Sequence, residues 1–300
     1  MHTTTPTVDS ILGPASDRYF GSRYAQVIPT IEHLDSWQSQ NGRHTAKGTA
    51  SIQISGLWSK KGARTAVPHL GTIDVLSLSL QATEAALARL ARPVSWTVTL
   101  LEVRAPSQPV ESGFEALPLA LILDTTEDMA RSEVVVGGFT VSIGLAPQEL
   151  PEGGLNGTGS VYRDVFRSRV PELAPIDRVQ DVIRTQVSVG VGTPGPTPTA
   201  LDAAKARGLN LIDAFVTVLQ LGQVLLYELD GLTRADSETL WMRTTRIVAC
   251  TTTAPSTTAT ATLENPRIRT LRQGTWRLAT ITGALGEHFT VSCAVAHHIP

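Results

Sequence analysis

The chain is poor in cysteine and in net charge. Only Cys250 and Cys293 occur among its 300 residues, with no CxxC spacing. A disulfide framework is therefore not expected, and a reducing cytoplasm is the expected setting. Lysine and arginine number 25 against 27 acidic residues, a net charge of −2. That balance argues against a nucleic-acid surface and against a polybasic membrane patch. No unbroken run of about 18 apolar residues is present, so no bilayer-crossing segment is expected. The start MHTTTPTVDS lacks the basic-then-apolar pattern of a signal peptide, and residues 1–14 read as a polar tail. The motifs GxxxxGK[ST], HExxH and GxSxG are missing, which removes support for P-loop, zincin and nucleophile-elbow chemistry. Gly190 to Gly195 does match GxGxxG, but Pro196-Thr197-Pro198 follows where a helix must open. A dinucleotide site is rejected. His288, His297 and His298 cluster without a completing carboxylate pattern, so neither a metal ion nor another cofactor is expected.

What is present is a repeat. Leu70 to Leu90 (LGTIDVLSLSLQATEAALARL) returns, without a gap, as Leu209 to Leu229 (LNLIDAFVTVLQLGQVLLYEL), 139 residues later. Apolar identities between buried helices are common, but Asp74/Asp213 and Gln81/Gln220 also match. A second echo, Phe139-Thr140-Val141-Ser142 and Phe289-Thr290-Val291-Ser292, stands in the same order. Two similar halves are expected, residues 1–150 and 151–300, joined through the Gly- and Pro-dense stretch 147–160.

Around each repeated helix lie extended segments. TASIQISGLW, SWTVTLLEV, ALPLALIL and SEVVVGGFTVSIGLA read as strands in the first half. TQVSVGV, TLWMRTTRIVACTT, ATATLENPRIRTL, TWRLATITGAL and EHFTVSCAVAHH do so in the second, with Cys250 and Cys293 as buried strand residues. The helices are apolar nearly all round and must be enclosed by protein. Runs of strands about a single helix exclude a parallel α/β sheet. The expected fold is α+β, a tandem (double) hotdog, each half an antiparallel sheet wrapped around one long central helix.

Asp74 and Gln81 stand nearly two helical turns apart and share a face, as do Asp213 and Gln220. One reading is structural: the carboxylates orient the first turn, where the helix dipole favours an anion, and the glutamines satisfy backbone of the enclosing sheet. The other is chemical. A helix N-terminus opening into a cleft can hold a developing oxyanion, and a buried carboxylate of raised pKa can move a proton. In Pro68-His69-Leu70-Gly71-Thr72-Ile73-Asp74 the histidine titrates near neutrality, Gly71 permits close approach and Thr72 is a candidate N-cap. The second half has no such histidine, so one principal site near the first helix is expected. Lys60, Lys61 and Arg64, just before that helix, either sit on a solvated loop or receive a phosphate or coenzyme A tail.

Arg18-Tyr19-Phe20-Gly21-Ser22, the PHLGTID segment from Pro68 to Asp74 and the following Gln81 resemble the motifs of the avirulence protein D family, over essentially the whole chain. The resemblance implies synthesis of acyl-sugar butenolide precursors such as syringolides, in a reaction similar to that of A-factor synthase. There a β-ketoacyl thioester is condensed with a ketose or ketose phosphate, such as xylulose 5-phosphate. The acyl group passes to a hydroxyl, and the activated methylene then closes a ring on the ketone. On this reading His69, Thr72 and Asp74 are catalytic, and Gln81, Lys60, Lys61, Arg64, Asp213 and Gln220 bind substrate. The partners implied are a coenzyme A or acyl carrier protein thioester and a sugar phosphate, for a monomer or homodimer. Two competing readings are a hotdog dehydratase or thioesterase, and a non-catalytic ligand-binding double hotdog.

Overall fold

The computed structural model describes residues 5–90, 95–126, 128–148, 160–168, 170–190, 201–202, 208–250, 257–271 and 274–299. Residues 149–159 of the expected junction at 147–160, the GxGxxG stretch from 191 onward and the Thr-rich residues 251–256 lie outside the described residues. In chain order the elements are α1 (Val8–Leu12), β1 (Val27–Gln40), β2 (Arg43–Ile54), β3 (Lys60–Lys61), β4 (Arg64–Thr65), α2 (Thr72–Arg89), β5 (Ser95–Arg104), β6 (Leu117–Thr125), β7 (Ala130–Val136) and β8 (Phe139–Gln148). There follow β9 (Pro171–Leu173), β10 (Asp177–Val179), β11 (Val182–Val189), α3 (Leu211–Asp230), β12 (Trp241–Ala249), β13 (Thr258–Leu271), β14 (Gly274–Leu285) and β15 (Phe289–Ile299).

One antiparallel sheet runs in the order β1-β2-β6-β7-β8-β5-β12-β15-β14-β13-β11-β10, with β9 on β11. Its middle is the pair β5 and β12, registered from Thr244 opposite Arg104 to Val248 opposite Leu100. The two echoes open β8 and β15, which flank that pair on either side. Strict alternation drives the curl: Leu117, Leu119, Leu121 and Leu123 of β6 face inward, as do Val134 and Val136 of β7 and Val141, Ile143 and Leu145 of β8. The β7–β8 hairpin turns through Gly137 and Gly138, both at positive φ.

Each concave surface holds one helix. In α2 every residue from Thr72 to Glu84 is buried, and in α3 every residue from Leu211 to Tyr227. α2 packs on β1, β6, β7 and β8, and α3 on β11 to β15. This is the double hotdog, with the two sheets continuous through β5 and β12. α3 is long and apolar enough to cross a membrane by length and composition alone, yet 94% of its most apolar window is buried within the protein. It is a core helix. Gly222 makes room for the Ile281 side chain of β14, since a Cβ there would meet Ile281 Cγ2 at 2.4 Å.

Two expectations need correction. The N-terminal tail is ordered from Pro6: α1 has a Thr7/Ser10 capping box, buries Val8 and Leu12, and packs on α3. A five-residue helix is too short to show a periodic pattern, which is why the sequence concealed it. Cys250 lies just past β12 and is exposed, whereas Cys293 is buried and its thiol is pushed up to about 12 by desolvation. Among the described residues no group of His, Cys, Asp and Glu forms a metal cluster. His297 is instead buried against the Asp230 carboxylate, Nε2 to Oδ2 at 2.8 Å.

Candidate active site

Both helices begin with the same backward tie. Asp74 Oδ2 accepts from Gly71 N–H at 2.9 Å, and Asp213 Oδ2 accepts from Asn210 N–H at 2.9 Å. The caps themselves differ. Asn210 Oδ1 accepts from the N–H groups of Ile212 (2.9 Å) and Asp213 (3.1 Å), closing the start of α3. Gly71 stands at the corresponding place in α2 and has no side chain to offer, so that first turn receives no side-chain cap. The expected N-cap, Thr72, is the first helical residue instead, its Oγ1 lying 4.0 Å from Met242 Sδ of the second half.

Gly71 and Thr72 open onto a cleft between the halves of the chain. The first half supplies Arg18, Tyr19, Trp58, Lys61 and His69; the second supplies Gln223, Tyr227, Arg234, Met242 and Arg243. Leu70, Phe139, Leu240 and Met242 make an apolar wall. The Tyr19 ring stacks on Trp58 at 4.8 Å, and Trp58 meets the His69 ring at 4.3 Å. Trp58 Nε1, a buried donor of this aromatic wall, has no hydrogen-bond partner among the described residues.

His69 Nδ1 lies 3.2 Å from Val67 O. A carbonyl can only accept, so in the neutral ring Nδ1 carries the proton and Nε2 presents its lone pair. Burial, followed by the nearby Lys61 charge, holds the imidazole below its usual range, against the pull of Val67 O and Glu111. His69 therefore stays a neutral base at pH 7.

Asp74 does not line the cleft. It is 2% exposed and lies behind Gly71 and Tyr19. Desolvation pushes its carboxyl up to about 7, opposed by the Gly71 N–H and by Tyr19. The phenol of Tyr19 is in turn raised by burial and then by the Asp74 charge, and stays a protonated donor. Tyr19 is thus the group through which Asp74 reaches the cleft.

The other predicted residues separate. Lys61 lines the cleft and donates to the carbonyls of Ser237 (3.4 Å) and Glu238. Burial first, then Arg234 and Arg64, depress its ammonium to about 8. Lys60 faces Asp17 at 3.8 Å, and Arg64 Nη2 donates to Ala235 O at 2.6 Å. Neither lines the cleft; Arg64 and Lys61 fasten the β3–β4 hairpin to the loop after α3. Gln81 donates to Ser77 Oγ at 2.9 Å and to the carbonyls of Pro29 and Tyr162. Gln220 accepts from Arg18 Nη1 at 2.7 Å on the far side of the cleft wall. Asp213 holds its helix cap. In these places both glutamines and Asp213 do structural work.

Sequence reasoning did not single out Arg18, Tyr19, Trp58, Tyr227 or Arg234. Arg18 and Tyr19 stand inside the RYFGS segment, the one signal that could have marked them. Arg234 is invisible in sequence, because only folding carries it to Ser59 Oγ at 2.9 Å and Lys60 O at 3.2 Å.

With this geometry in hand, comparison with known proteins is informative for family. The profile described as "Pseudomonas avirulence D protein (AvrD)" matches residues 3–162 and 157–300. The chain belongs to the AvrD family. No curated protein matches the AvrD-family chain. Among solved structures, a tesB protein of Mycobacterium avium subs paratuberculosis shares 10% identity at a TM-score of 0.44, covering 88% of this chain and 96% of that one. The PpsC dehydratase domain from Mycobacterium tuberculosis, in complex with C12:1-CoA, shares 12% at a TM-score of 0.41, covering 89% and 98%. An acyl-CoA thioesterase II, TesB2, from Mycobacterium marinum shares 11% at a TM-score of 0.43, covering 89% and 95%.

Proposed function

We propose that this AvrD-family chain is an enzyme acting on acyl thioesters, and that it condenses a β-ketoacyl thioester with a ketose or ketose phosphate to a butenolide of the syringolide type. The observation that carries the reading is the uncapped start of α2 at the floor of a cleft that also presents His69 Nε2. Acyl transfer needs those two elements together: a base for the attacking hydroxyl and donors for the tetrahedral oxyanion.

In the proposed sequence His69 Nε2 takes the proton of a sugar hydroxyl as its oxygen attacks the thioester carbonyl. The carbonyl oxygen, now anionic, is held by N–H groups of the first turn of α2 and by Tyr19 Oη–H. Collapse breaks the C–S bond, and the thiolate leaves with the proton that His69 had taken. The methylene between two carbonyls then loses a proton to the same imidazole. Its carbon adds to the sugar ketone, the alkoxide regains the proton, and loss of water completes the ring. Asp74 acts behind Tyr19, holding the phenol and the Gly71 N–H in place. The apolar wall of Leu70, Phe139, Leu240 and Met242 accommodates the acyl chain.

The test is incubation with a β-ketoacyl thioester, with and without a ketose phosphate, read by product mass. Sugar-dependent thioester loss with a product of summed mass, less thiol and water, is the expected outcome. Loss independent of sugar would identify a thioesterase, dehydration of a β-hydroxyacyl thioester a dehydratase, and return of both compounds unchanged a binding protein. His69→Ala should abolish turnover while leaving the melting temperature unchanged.

A further inference from the structure

The cleft is lined by four cationic side chains, Arg18, Lys61, Arg234 and Arg243, and by no carboxylate, in a chain whose net charge is −2. Arg18 is 2% exposed, and burial lowers its guanidinium to about 10, with Asp9 opposing and Arg234 adding to the shift. Burial also lowers Arg234. Among the described residues neither Lys61 nor Arg234 forms an ion pair with a carboxylate; both are held by backbone carbonyls and a serine hydroxyl. Arg18 is paired with Asp9 and bonded to Gln220; crowding Lys61 and Arg234 beside it in a half-enclosed space is unfavourable unless a further anion joins them. Beside them stands a buried donor without a partner among the described residues, the donor-only Trp58 Nε1. Cations and a donor without an acceptor on one wall, facing an apolar wall, describe a site for an oxyanion attached to an organic body.

We propose that the basic wall formed by Arg18, Lys61 and Arg234, with Trp58 Nε1, is a phosphate-binding subsite, and that one substrate enters carrying a phosphate there. This rests on the proposed condensation only for what the phosphate is attached to. It also drops Lys60 and Arg64 from the anion contact, since of the three hairpin cations Lys61 alone lines the cleft. Two sources share the chemistry: a phosphorylated sugar acceptor, or the nucleotide phosphates of a thioester carrier.

Calorimetric titration of the full-length protein tests it without any turnover. The probes are inorganic phosphate, glycerol 3-phosphate with glycerol as its uncharged control, and adenosine 3′,5′-bisphosphate. The expected result is saturable phosphate binding that weakens at least tenfold in Arg234→Gln and in Lys61→Met. Trp58→Phe should weaken it severalfold while keeping the aromatic stack, and Arg184→Gln, an exposed change on β11, should leave it unaltered. Glycerol 3-phosphate binding more tightly than the bisphosphate assigns the subsite to the acceptor, and the reverse assigns it to the carrier. Should Arg234→Gln fail to fold, Lys61→Met and Trp58→Phe still decide. No binding at 10 mM of any phosphate probe, or equal affinity in the parent, Lys61→Met and Trp58→Phe, overturns the proposal. Phosphate binding without condensation would refute the proposed reaction and leave the subsite standing.

Discussion

Replacing Asp74 with asparagine separates what this carboxylate does for folding from what it does for chemistry. The side chain is fully enclosed, and its pKa rises from 3.8 to about 7 because burial outweighs the Gly71 N–H and Tyr19. A group whose folded pKa exceeds its unfolded one binds more protons when folded. Stability is then greatest below pH 4 and falls as pH climbs toward 7. At 1.36 kcal/mol per unit, a shift of about 3 units makes the ionised carboxylate cost about 4 kcal/mol at pH 8. Asparagine keeps an oxygen for the Gly71 N–H, and its amide can donate to Tyr19 Oη in place of the bond that the phenol gives the carboxylate. The variant should therefore match the parent near pH 4 and exceed its stability at pH 8, by as much as that figure.

The assay is urea unfolding of parent and Asp74→Asn at pH 4, 5.5, 7 and 8. Carboxylates common to both proteins cancel in the difference, including Asp230, which Arg277 and His297 hold below the usual range. Turnover should fall by about 10² in the same variant, on the usual scale of acid–base and oxyanion groups. A stability difference that does not change with pH would show that Asp74 ionises normally, and the electrostatic account of the site would fail.

Three further outcomes follow from the contacts. Gly71→Ala places a Cβ 2.4 Å from Tyr19 Oη; displacement of the phenol should lower turnover more than tenfold, with a stability loss of about 1–3 kcal/mol by denaturant unfolding. Gln220→Leu removes the acceptor for the buried Arg18 Nη1 and should cost about 1–3 kcal/mol, read as a lower urea midpoint. Gly222→Ala drives a Cβ into Ile281, pinned on β14 inside the second half, and should lower the melting temperature by several degrees for a cost of about 1–3 kcal/mol, without changing substrate affinity.

The helices were legible because α2 and α3 are apolar on all sides, a pattern with few structural solutions. The strands were legible because each buries one face, so that Leu117 to Leu123 alternate without interruption. The cleft was less so. His69, Gly71 and Lys61 stood next to the repeated helix and could be nominated by position. Tyr227, Arg234 and Met242 reach the same space from more than 150 residues away, through the pairing of β5 with β12 and the clamp between the β3–β4 hairpin and the loop after α3. Local patterns carry no trace of that encounter. Thr72 was a reasonable cap on residue type, but a cap needs extended backbone, and that falls to Gly71 at φ −83° and ψ 157°.

The duplication itself explains why one site is proposed rather than two. Each half sets a tyrosine near the start of a helix tied by its own aspartate. In the second half Tyr162 Oη donates to Asp202, which also accepts from Thr97 Oγ1 (2.7 Å) and Val98 N–H (3.1 Å). Asn210 caps the helix over it. The backbone of that first turn is thus capped and its tyrosine is tied to an aspartate, although Asn210 Nδ2 and Thr217 Oγ1 are buried without a hydrogen-bond partner among the described residues. In the first half the asparagine is Gly71, and Tyr19 Oη meets no second aspartate in hydrogen-bonding geometry. The same architecture is thereby left with open donors, a neutral histidine and a carboxylate that titrates near pH 7. Unsatisfied groups cost stability wherever they are buried. What differs between the two related helix starts is the side-chain cap, and supplying it with Gly71→Asn should lower turnover in the condensation assay by closing the first turn of α2 as Asn210 closes that of α3.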